Sequence, residues 1–345
     1  MNTRLKHVPV EQNMGIRRGP ILGAHLSVAG GLELALADAR VLGCECVQIF
    51  VKNQRQWRAP PLRKEQVERF RDARNATSVS PIVAHASYLL NLASPNDRSR
   101  QLSFDAMIDE LERCEALGVD YLVFHPGSHM SSAAAKPRSD EATEGNNEIG
   151  SEPQARARGL DPSLALRAQM ESDAIAAGIE RIARSLDEVH RRCAGFRTLI
   201  LLETTAGQET AIGWRFEHIR GILDRVAAAN RLGVCLDTCH LFAAGYDFRM
   251  AEGYAVIMQE LDRIIGVARV RCIHMNDSKR ELGSRVDRHE HIGKGKIGKS
   301  GFANFLNDPR FGGVPIILET PKGVDGRGRD LDKVNLKRLR QMIVD

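Results

Sequence analysis

The chain has 345 residues, 43% of them hydrophobic and 27% charged, which is enough to bury the core of one large barrel or of two ordinary domains. A net charge of +5 permits an anionic partner without identifying one. Seven cysteines without a paired CxxC motif argue against a disulfide framework or a thiolate zinc site. No apolar run is long enough to cross a membrane. We therefore expect a soluble intracellular protein, in the cytoplasm if prokaryotic and in the nucleus or mitochondrion if eukaryotic.

Residues 1–20 form a basic segment with a single acid, Glu11, and no apolar signal core. We expect a disordered N-terminal tail there, with weak resemblance to a mitochondrial targeting segment. The remainder, residues 21–345, is predicted to be a single domain.

Eight short apolar runs alternate with longer stretches, most of which have a helical pattern. The runs are ILGAH (21–25), CVQIF (46–50), PIVAHA (81–86), YLVFH (121–125), TLILLE (198–203), VCLD (234–237), RCIH (271–274) and PIILE (315–319). Uniformly apolar strands suit a parallel sheet that is covered on both faces. Eight such units predict an α/β protein with a (β/α)₈ TIM barrel, and a doubly wound open sheet remains the structural alternative.

One stretch interrupts this alternation after the fourth strand. Residues 130–164 are rich in Ser, Ala, Gly, Glu and Pro and carry four basic and six acidic side chains. Such a composition predicts a flexible insertion in the loop that follows the strand.

Seven of the eight runs end in, or contain near their end, an imidazole or a carboxylate. These residues are His25, His85, His125, Glu203, Asp237, His274 and Glu319. A parallel barrel brings the C-terminal ends of its strands to one face, so these side chains should converge. Converging carboxylates would repel one another unless cations compensate them, and imidazole with carboxylate suits Zn²⁺ or Mn²⁺. The pattern therefore predicts a site with several metal ions.

Two loops offer further ligands. His240 follows Asp237 by three residues, and the stretch GSRVDRHEHIG (283–293) contains Asp287 and His289. Residues two apart in an extended segment share a side, so Asp287 and His289 could bind one ion together with His240. Whether His291, which has the same parity, stays off the metal is left open.

Long ordered motifs carry a resemblance to a known family. They include GAHLSVAGG (23–31), FVKNQRQWRAPPL (50–62), HASYLLNLASP (85–95), FHPGSH (124–129), LLETTAGQ (201–208), GVCLDTCHLFAAGYD (233–247), HMNDSKRELGSRVDRHEHIGKGKIG (274–298) and ILETPKG (317–323). By these motifs the chain resembles the endonuclease IV family, the zinc-dependent apurinic/apyrimidinic endonucleases of base excision repair. The resemblance spans nearly the whole chain apart from the tail and the insertion, and it implies a TIM barrel.

The resemblance implies three zinc ions per chain, with Mn²⁺ an option at one or more sites. The implied ligand sets are His85, His125 and Glu203; Glu203, Asp237, His274 and Glu319; and His240, Asp287 and His289. Glu203 is the implied catalytic residue because it would bridge two ions. His25 matches the family motif but is not a ligand there, so we expect it to support the site or to contact DNA.

The implied reaction is hydrolysis of the phosphodiester 5′ to an abasic site in double-stranded DNA, which leaves a 3′-hydroxyl and a 5′-deoxyribose phosphate. Removal of 3′-blocking groups is an expected side activity. We expect a monomer that needs no membrane and no obligatory protein partner. Besides His25, the expected DNA contacts are Lys52, Asn53, Gln54, Arg55, Trp57, Tyr88, Leu89, Arg285, Lys294 and Lys296.

Three features depart from the family pattern without touching a ligand. The insertion is long, Glu209 replaces a small residue, and residues 318–342 look more like the eukaryotic-type branch. Two other functions compete with the endonuclease interpretation. A divalent-metal sugar isomerase on the same barrel would need only the late-strand ligands, and a non-catalytic DNA-binding protein would need none.

Overall fold

The fold was obtained as a computed structural model that describes residues 19–130 and 162–344. The predicted N-terminal tail, apart from its last two residues, lies outside the described residues. So does most of the predicted insertion, together with residue 345.

Eight parallel strands close into a barrel, which confirms the TIM-barrel prediction and excludes an open sheet. The barrel strands are β1 (Ile21–His25), β2 (Cys46–Ile49), β3 (Ile82–His85), β4 (Tyr121–Phe124), β5 (Leu199–Glu203), β6 (Leu232–Asp237), β7 (Val270–His274) and β10 (Pro315–Leu318), and two further strands are β8 (Asp277–Ser278) and β9 (His289–Glu290). Around the barrel the order is β1-β10-β7-β6-β5-β4-β3-β2, while β8 and β9 pair separately as a short antiparallel hairpin. Every predicted strand is present, with shifts of only one or two residues at its ends.

Helices follow the strands and cover the barrel. They are α1 (Leu32–Leu42), α2 (Lys64–Thr77), α3 (Asp97–Leu117), α4 (Pro162–Arg192), α5 (Phe216–Leu223), α6 (Thr238–Ala244), α7 (Ala251–Ile264), α8 (Gly298–Leu306) and α9 (Leu331–Arg340), with 3₁₀ turns at Ala229–Arg231, Val267–Arg269 and Pro309–Phe311. The described part of helix α4 starts at Pro162, so residues 162–164, which were predicted to belong to the flexible insertion, are helical instead. Within residues 19–130 and 162–344, no helix combines the length and apolarity needed to cross a bilayer.

The barrel interior is filled by one apolar layer to which each of the eight strands contributes one residue. The layer consists of Ile21, Cys46, Val83, Val123, Leu201, Cys235, Cys272 and Ile317, all buried. Alternate residues of a strand point to the same side, so the residue two positions later also faces the interior. On seven of the eight strands that residue is Gln, His, Glu or Asp. A polar layer therefore lies directly on an apolar floor at the C-terminal end of the barrel.

Strand β1 is the exception, because Gly23 follows Ile21 by two residues. At this position β1 comes so close to β2 that a β-carbon would overlap the carbonyl group and the sulfur of Cys46. Only glycine fits there without a shift of the backbone, and this close approach helps to close the barrel.

We expect Gly23→Ala to lower the free energy of unfolding by about 1–3 kcal/mol, the usual effect of overpacking a core. Urea denaturation followed by circular dichroism measures this change. Gly326→Ala is the matched control, since no atom lies within 4 Å of the position of its added carbon. Equal urea midpoints for the two variants would contradict the overpacking argument.

Candidate metal centre

Nine side chains at the C-terminal end of the barrel form three groups that could each hold a metal ion. The first group is His85, His125 and Glu203; the second is Glu203, Asp237, His274 and Glu319; and the third is His240, Asp287 and His289. Within each group the candidate ligand atoms all lie within 4.8 Å of one another. These are the nine residues that the family resemblance implied as ligands, in the same three sets.

Glu203 lies at the centre of the three groups. Its Oε2 atom is 3.1 Å from Nε2 of His85 and 3.1 Å from Nε2 of His125. Its Oε1 atom is 3.0 Å from Nδ1 of His274 and 3.3 Å from Nδ1 of His240. One buried carboxylate thus contacts four imidazoles, and it connects all three groups.

The third group is assembled from helix α6 and the β8–β9 hairpin. Asp237 caps α6, because its side chain accepts a hydrogen bond from the backbone N–H of His240 at 2.8 Å, and the cap fixes His240. The β8–β9 hairpin carries the other two members. Asp287 lies 3.2 Å from Nε2 of His240 and 3.2 Å from Nε2 of His289.

Hydrogen bonds to carbonyl oxygens orient the imidazoles as metal binding requires. A carbonyl oxygen only accepts, so a ring nitrogen bound to it carries the proton, and the other nitrogen has its lone pair free. This holds for three rings: Nδ1 donates to Ala86 O in His85 (2.7 Å), to Thr204 O in His240 (2.8 Å) and to Glu319 O in His289 (3.2 Å). In each ring the free Nε2 is directed at the carboxylates of its group, so the donor set fits divalent cations.

Gln48 orients the ring of His274 in the same way, although it was not among the predicted site residues. Its Oε1 accepts from Nε2 of His274 at 2.7 Å, which leaves Nδ1 of that ring directed at Glu203 and Glu319. Its Nε2 lies 2.5 Å from Oε1 of Glu319 and 2.9 Å from Nδ1 of His25. Its signal in the sequence is weak, since the only mark is a lone amide in the apolar run CVQIF.

The pKa values in the centre reflect the four carboxylates that are gathered in this small volume. Burial alone would raise the pKa of Glu203, but His125 and His274 outweigh it and hold that pKa well below the ordinary value. Burial alone would lower the pKa of His274, yet Glu319 and Glu203 raise it well above the ordinary value. The same opposition, with Asp237 as the largest raising influence, lifts the pKa of His289 to about 9. The cluster therefore demands positive charge, which protons or bound cations can supply.

Two further groups of candidate ligands include cysteines. Cys239 lies near Asp237 and His289, while Cys235 and Cys272 lie near His274. Burial raises the pKa of the Cys239 thiol to about 12 and that of Cys235 well above its ordinary value. Neutral thiols are poor metal ligands, so we interpret Cys239 and Cys235 as packing residues.

Two clefts reach the centre from the surface, and the exposed ring of Tyr88 lies between them. One cleft, of about 510 Å³, is lined by Trp57, Leu89, His125, Asp287 and others. The other, of about 760 Å³, is lined by loop residues predicted to contact DNA together with the centre itself: His25, Asn53, Gln54, Arg55, His289 and Glu319.

His25 occupies the border between the centre and the second cleft. Its Nδ1 lies 3.1 Å from Oε1 of Glu319, so the ring supports that carboxylate. Its Nε2 is buried and has no hydrogen-bond partner within the described residues. The position is compatible with the supporting role expected from the sequence.

Lys52 does not lie where the sequence led us to expect. It was predicted to contact DNA, but its side chain is only 1% exposed, and its ammonium group lies 3.0 Å from Asp109 and 3.4 Å from Glu110. A buried ion pair with α3 therefore takes the place of the DNA contact that we predicted for this lysine.

The remaining predicted contacts lie on the loops around β9. Lys294 and Lys296 are exposed, and Lys296 lies 2.6 Å from Glu281. The guanidinium group of Arg285 lies over the ring of Trp214, 3.9 Å from its centroid. His291 is in none of the ligand groups found among the described residues; its Nδ1 instead lies 3.0 Å from the side-chain amide of Asn335.

Gln48→Met keeps the side-chain volume but removes both hydrogen bonds that orient His274 and Glu319. We expect about 10- to 100-fold weaker binding of the ion held by the second group, the usual effect of losing an outer hydrogen-bond partner. Competition with a chromophoric chelator measures the affinity. Asn304→Leu, which removes a hydrogen bond to Phe248 O, is the control. Unchanged zinc affinity in Gln48→Met would refute the orienting role.

Comparisons with known proteins agree with this geometry. Residues 36–341 match the family described as "Xylose isomerase-like TIM barrel". A protein of Chloroflexus aurantiacus named "Probable endonuclease 4" is 43% identical over 324 residues, which cover 94% of this chain and 98% of the relative. Another protein of that name, from Geobacter sulfurreducens, is 39% identical over 322 residues, which cover 93% of this chain and 94% of the relative. Both are bacterial, so they lend no support to the eukaryotic-type interpretation of residues 318–342.

Solved structures give the same result. The crystal structure of endonuclease IV from Thermus thermophilus superposes with a TM-score of 0.72 at 35% identity, covering 94% of this chain and 98% of that one. A D-psicose 3-epimerase from Clostridium cellulolyticum reaches a TM-score of 0.56 at 14% identity, covering 93% of this chain and 94% of that one, a likeness of fold alone. The extent of these matches and the family profile show that the chain belongs to the endonuclease IV family of xylose isomerase-like TIM barrels.

Proposed function

We propose that the protein is a DNA repair endonuclease that hydrolyses the phosphodiester 5′ to abasic sites in duplex DNA. The products would be a 3′-hydroxyl and a 5′-deoxyribose phosphate, and the same centre would remove 3′-blocking groups. The observation that carries the proposal is the assembly of three ligand groups around Glu203 at the floor of two open clefts. The names of the relatives support it.

The three groups would hold three zinc ions, with manganese an alternative at one or more of them. Nitrogen and carboxylate oxygen donors suit both metals. When bound, the ions would supply Lewis acidity towards the phosphodiester and would lower the pKa of a coordinated water. Glu203 would bind ions of both the first and the second group, so we assign it the central catalytic role.

The clefts suggest how the chain would hold its substrate. An abasic nucleotide has lost its base stacking and is therefore less costly to turn out of the duplex than an intact one. The cleft lined by Leu89 and His125 would receive the abasic nucleotide. Tyr88, which is 62% exposed, would fill the space that this nucleotide leaves in the DNA duplex. Arg55, exposed on the opposite side of Tyr88, would contact the duplex from the second cleft.

The exposed cations around β9 would bind the phosphate backbone. Lys294 and Lys296 project from the loop that follows the third ligand group. Asp277 holds this loop by accepting hydrogen bonds from the backbone N–H groups of Gly295 and Ile297, each at 3.0 Å. Phosphate contacts of this kind would make binding fall steeply with salt.

A sugar isomerase or epimerase remains the competing function for this barrel. The second ligand group alone would serve such an enzyme, and the likeness to D-psicose 3-epimerase is one of fold. The first and third groups, and a loop that exposes Arg55 beside the centre, have no part in that chemistry. These additional features favour the endonuclease.

The purified protein should cut a synthetic duplex that contains one abasic site, at the 5′ side of that site. Removing the metal with a chelator should abolish cleavage, and adding zinc should restore it, because only the ions activate the water. Denaturing gel electrophoresis with end-labelled strands identifies the cut and its termini. An undamaged duplex is the control, and cleavage that survives complete metal removal would refute the metal-dependent reaction.

Glu203→Gln should retain the fold and nearly abolish cleavage, by about 10³-fold or more. The neutral amide of glutamine cannot supply the negative charge that the ions of the first and second groups would share. Zinc content by mass spectrometry and single-turnover rates measure the effect. Glu209→Gln, at a glutamate on the loop that follows β5, is the matched control. Near wild-type cleavage by Glu203→Gln with a full metal complement would rule out the central role.

A further inference from the structure

Lys52 is the first residue of the loop KNQRQWR (52–58). Its side chain is buried under the loop and is not exposed on the loop surface. Its ammonium group lies 3.0 Å from Asp109 and 3.4 Å from Glu110, both on α3. It also donates a hydrogen bond to the carbonyl oxygen of Trp57 at 3.2 Å. The cation therefore connects both ends of the loop to one helix.

Glu110 contacts a second loop as well. Both of its carboxylate oxygens lie 3.2 Å from the backbone N–H of Ser87, in the turn that carries Tyr88 and Leu89. The hydroxyl of Ser87 donates to Gln54 O at 2.7 Å and accepts from the N–H of Leu89 at 3.2 Å. One buried carboxylate thus joins the KNQRQWR loop to the Tyr88 turn.

Stability alone does not account for this arrangement. The side chains of Lys52 and Glu110 are 1% and 2% exposed, and taking two charges out of water opposes much of their attraction. Burial raises the pKa of Glu110 although Lys52 opposes that effect, which agrees with a costly environment for the charge. Such a pair is best explained by the geometry that it enforces.

We propose that Lys52 and Glu110 are positioning residues, whose buried pair sets the KNQRQWR loop and the Tyr88 turn in one fixed relation so that both engage the damaged duplex together. Arg55 lies three residues after Lys52, and Tyr88 directly follows Ser87. The side chains of Arg55 and Tyr88 line the same cleft. The inference rests on the proposed function, and it assigns Lys52 no phosphate contact.

Salt dependence separates positioning from direct contact. The slope of log affinity against log salt concentration is negative, and each lysine that binds a phosphate makes it steeper by about 0.9. Lys52→Met should leave the slope for an undamaged duplex unchanged. It should lower the preference for abasic over undamaged duplex by about tenfold, as is common when neighbouring groups are uncoupled. Fluorescence anisotropy with metal-loaded protein, over a range of salt concentrations, measures both quantities.

Glu110→Gln tests the other partner without creating a cavity. Its amide oxygen can still accept from the N–H of Ser87, and Lys52 keeps Asp109 as a partner, so the fold should survive. We expect a loss of abasic preference similar to that in Lys52→Met. In the double variant the two losses should not add, since both remove the same connection.

Arg74→Met is the matched control, because Arg74 pairs with Asp120 at the opposite end of the barrel, where β4 begins. It should change neither the salt slope nor the preference for abasic duplex. Lys294→Ala is the control for a phosphate contact and should make the slope shallower.

A slope that is shallower by about 0.9 in Lys52→Met than in the wild type would show a direct phosphate contact and overturn the inference. Unchanged abasic preference in both single variants would also overturn it and leave the pair a structural feature. If the wild-type protein itself shows no preference for abasic DNA, the proposed function fails instead, so the two failures are distinguishable.

Discussion

The arrangement of this protein depends on one buried carboxylate, that of Glu203. A carboxylate without access to water is stable in its charged form only beside compensating positive groups or strong hydrogen-bond donors. Four imidazoles supply that environment, each within 3.3 Å of one of its oxygens. They come from four different segments, so the contacts of Glu203 also hold those segments at one fixed distance from one another.

The barrel makes this concentration of charge possible. An apolar layer of one residue from each strand closes the interior, and the polar layer lies directly upon it. The clefts beside Tyr88 admit water to the polar layer, while the apolar floor blocks its approach from below. Outer hydrogen bonds then orient four of the five imidazoles: Gln48 orients His274, and backbone carbonyls orient three further rings. The apolar floor and the polar layer above it are thus consequences of the same strand alternation.

Much of this could be predicted from the sequence because it depends on short-range patterns. Apolar runs that end in His, Glu or Asp indicated both the strands and the residues at their ends, and all nine predicted ligands come together. Gln48 escaped because a single amide inside an apolar run looks like an ordinary strand residue. Lys52 was misplaced for a different reason: its burial is decided by Asp109 and Glu110, more than fifty residues later in the chain. No local pattern reports such a distant partner.

The three ligand groups differ in what carries them. Six of the nine side chains belong to barrel strands or immediately follow one, whereas Asp287 and His289 lie on or beside the two-residue β8–β9 hairpin, outside the barrel. Backbone hydrogen bonds hold the segment between β8 and β9 against α6, among them one from Arg285 N–H to Ala243 O at 2.9 Å, although the segment takes no part in the barrel sheet. The centre is therefore built on two supports, the barrel strands and a hairpin that the barrel sheet does not include. A change in the β8–β9 segment would therefore alter two of the three side chains of the third group, whereas the first and second groups take all of theirs from the barrel strands or the residues directly after them.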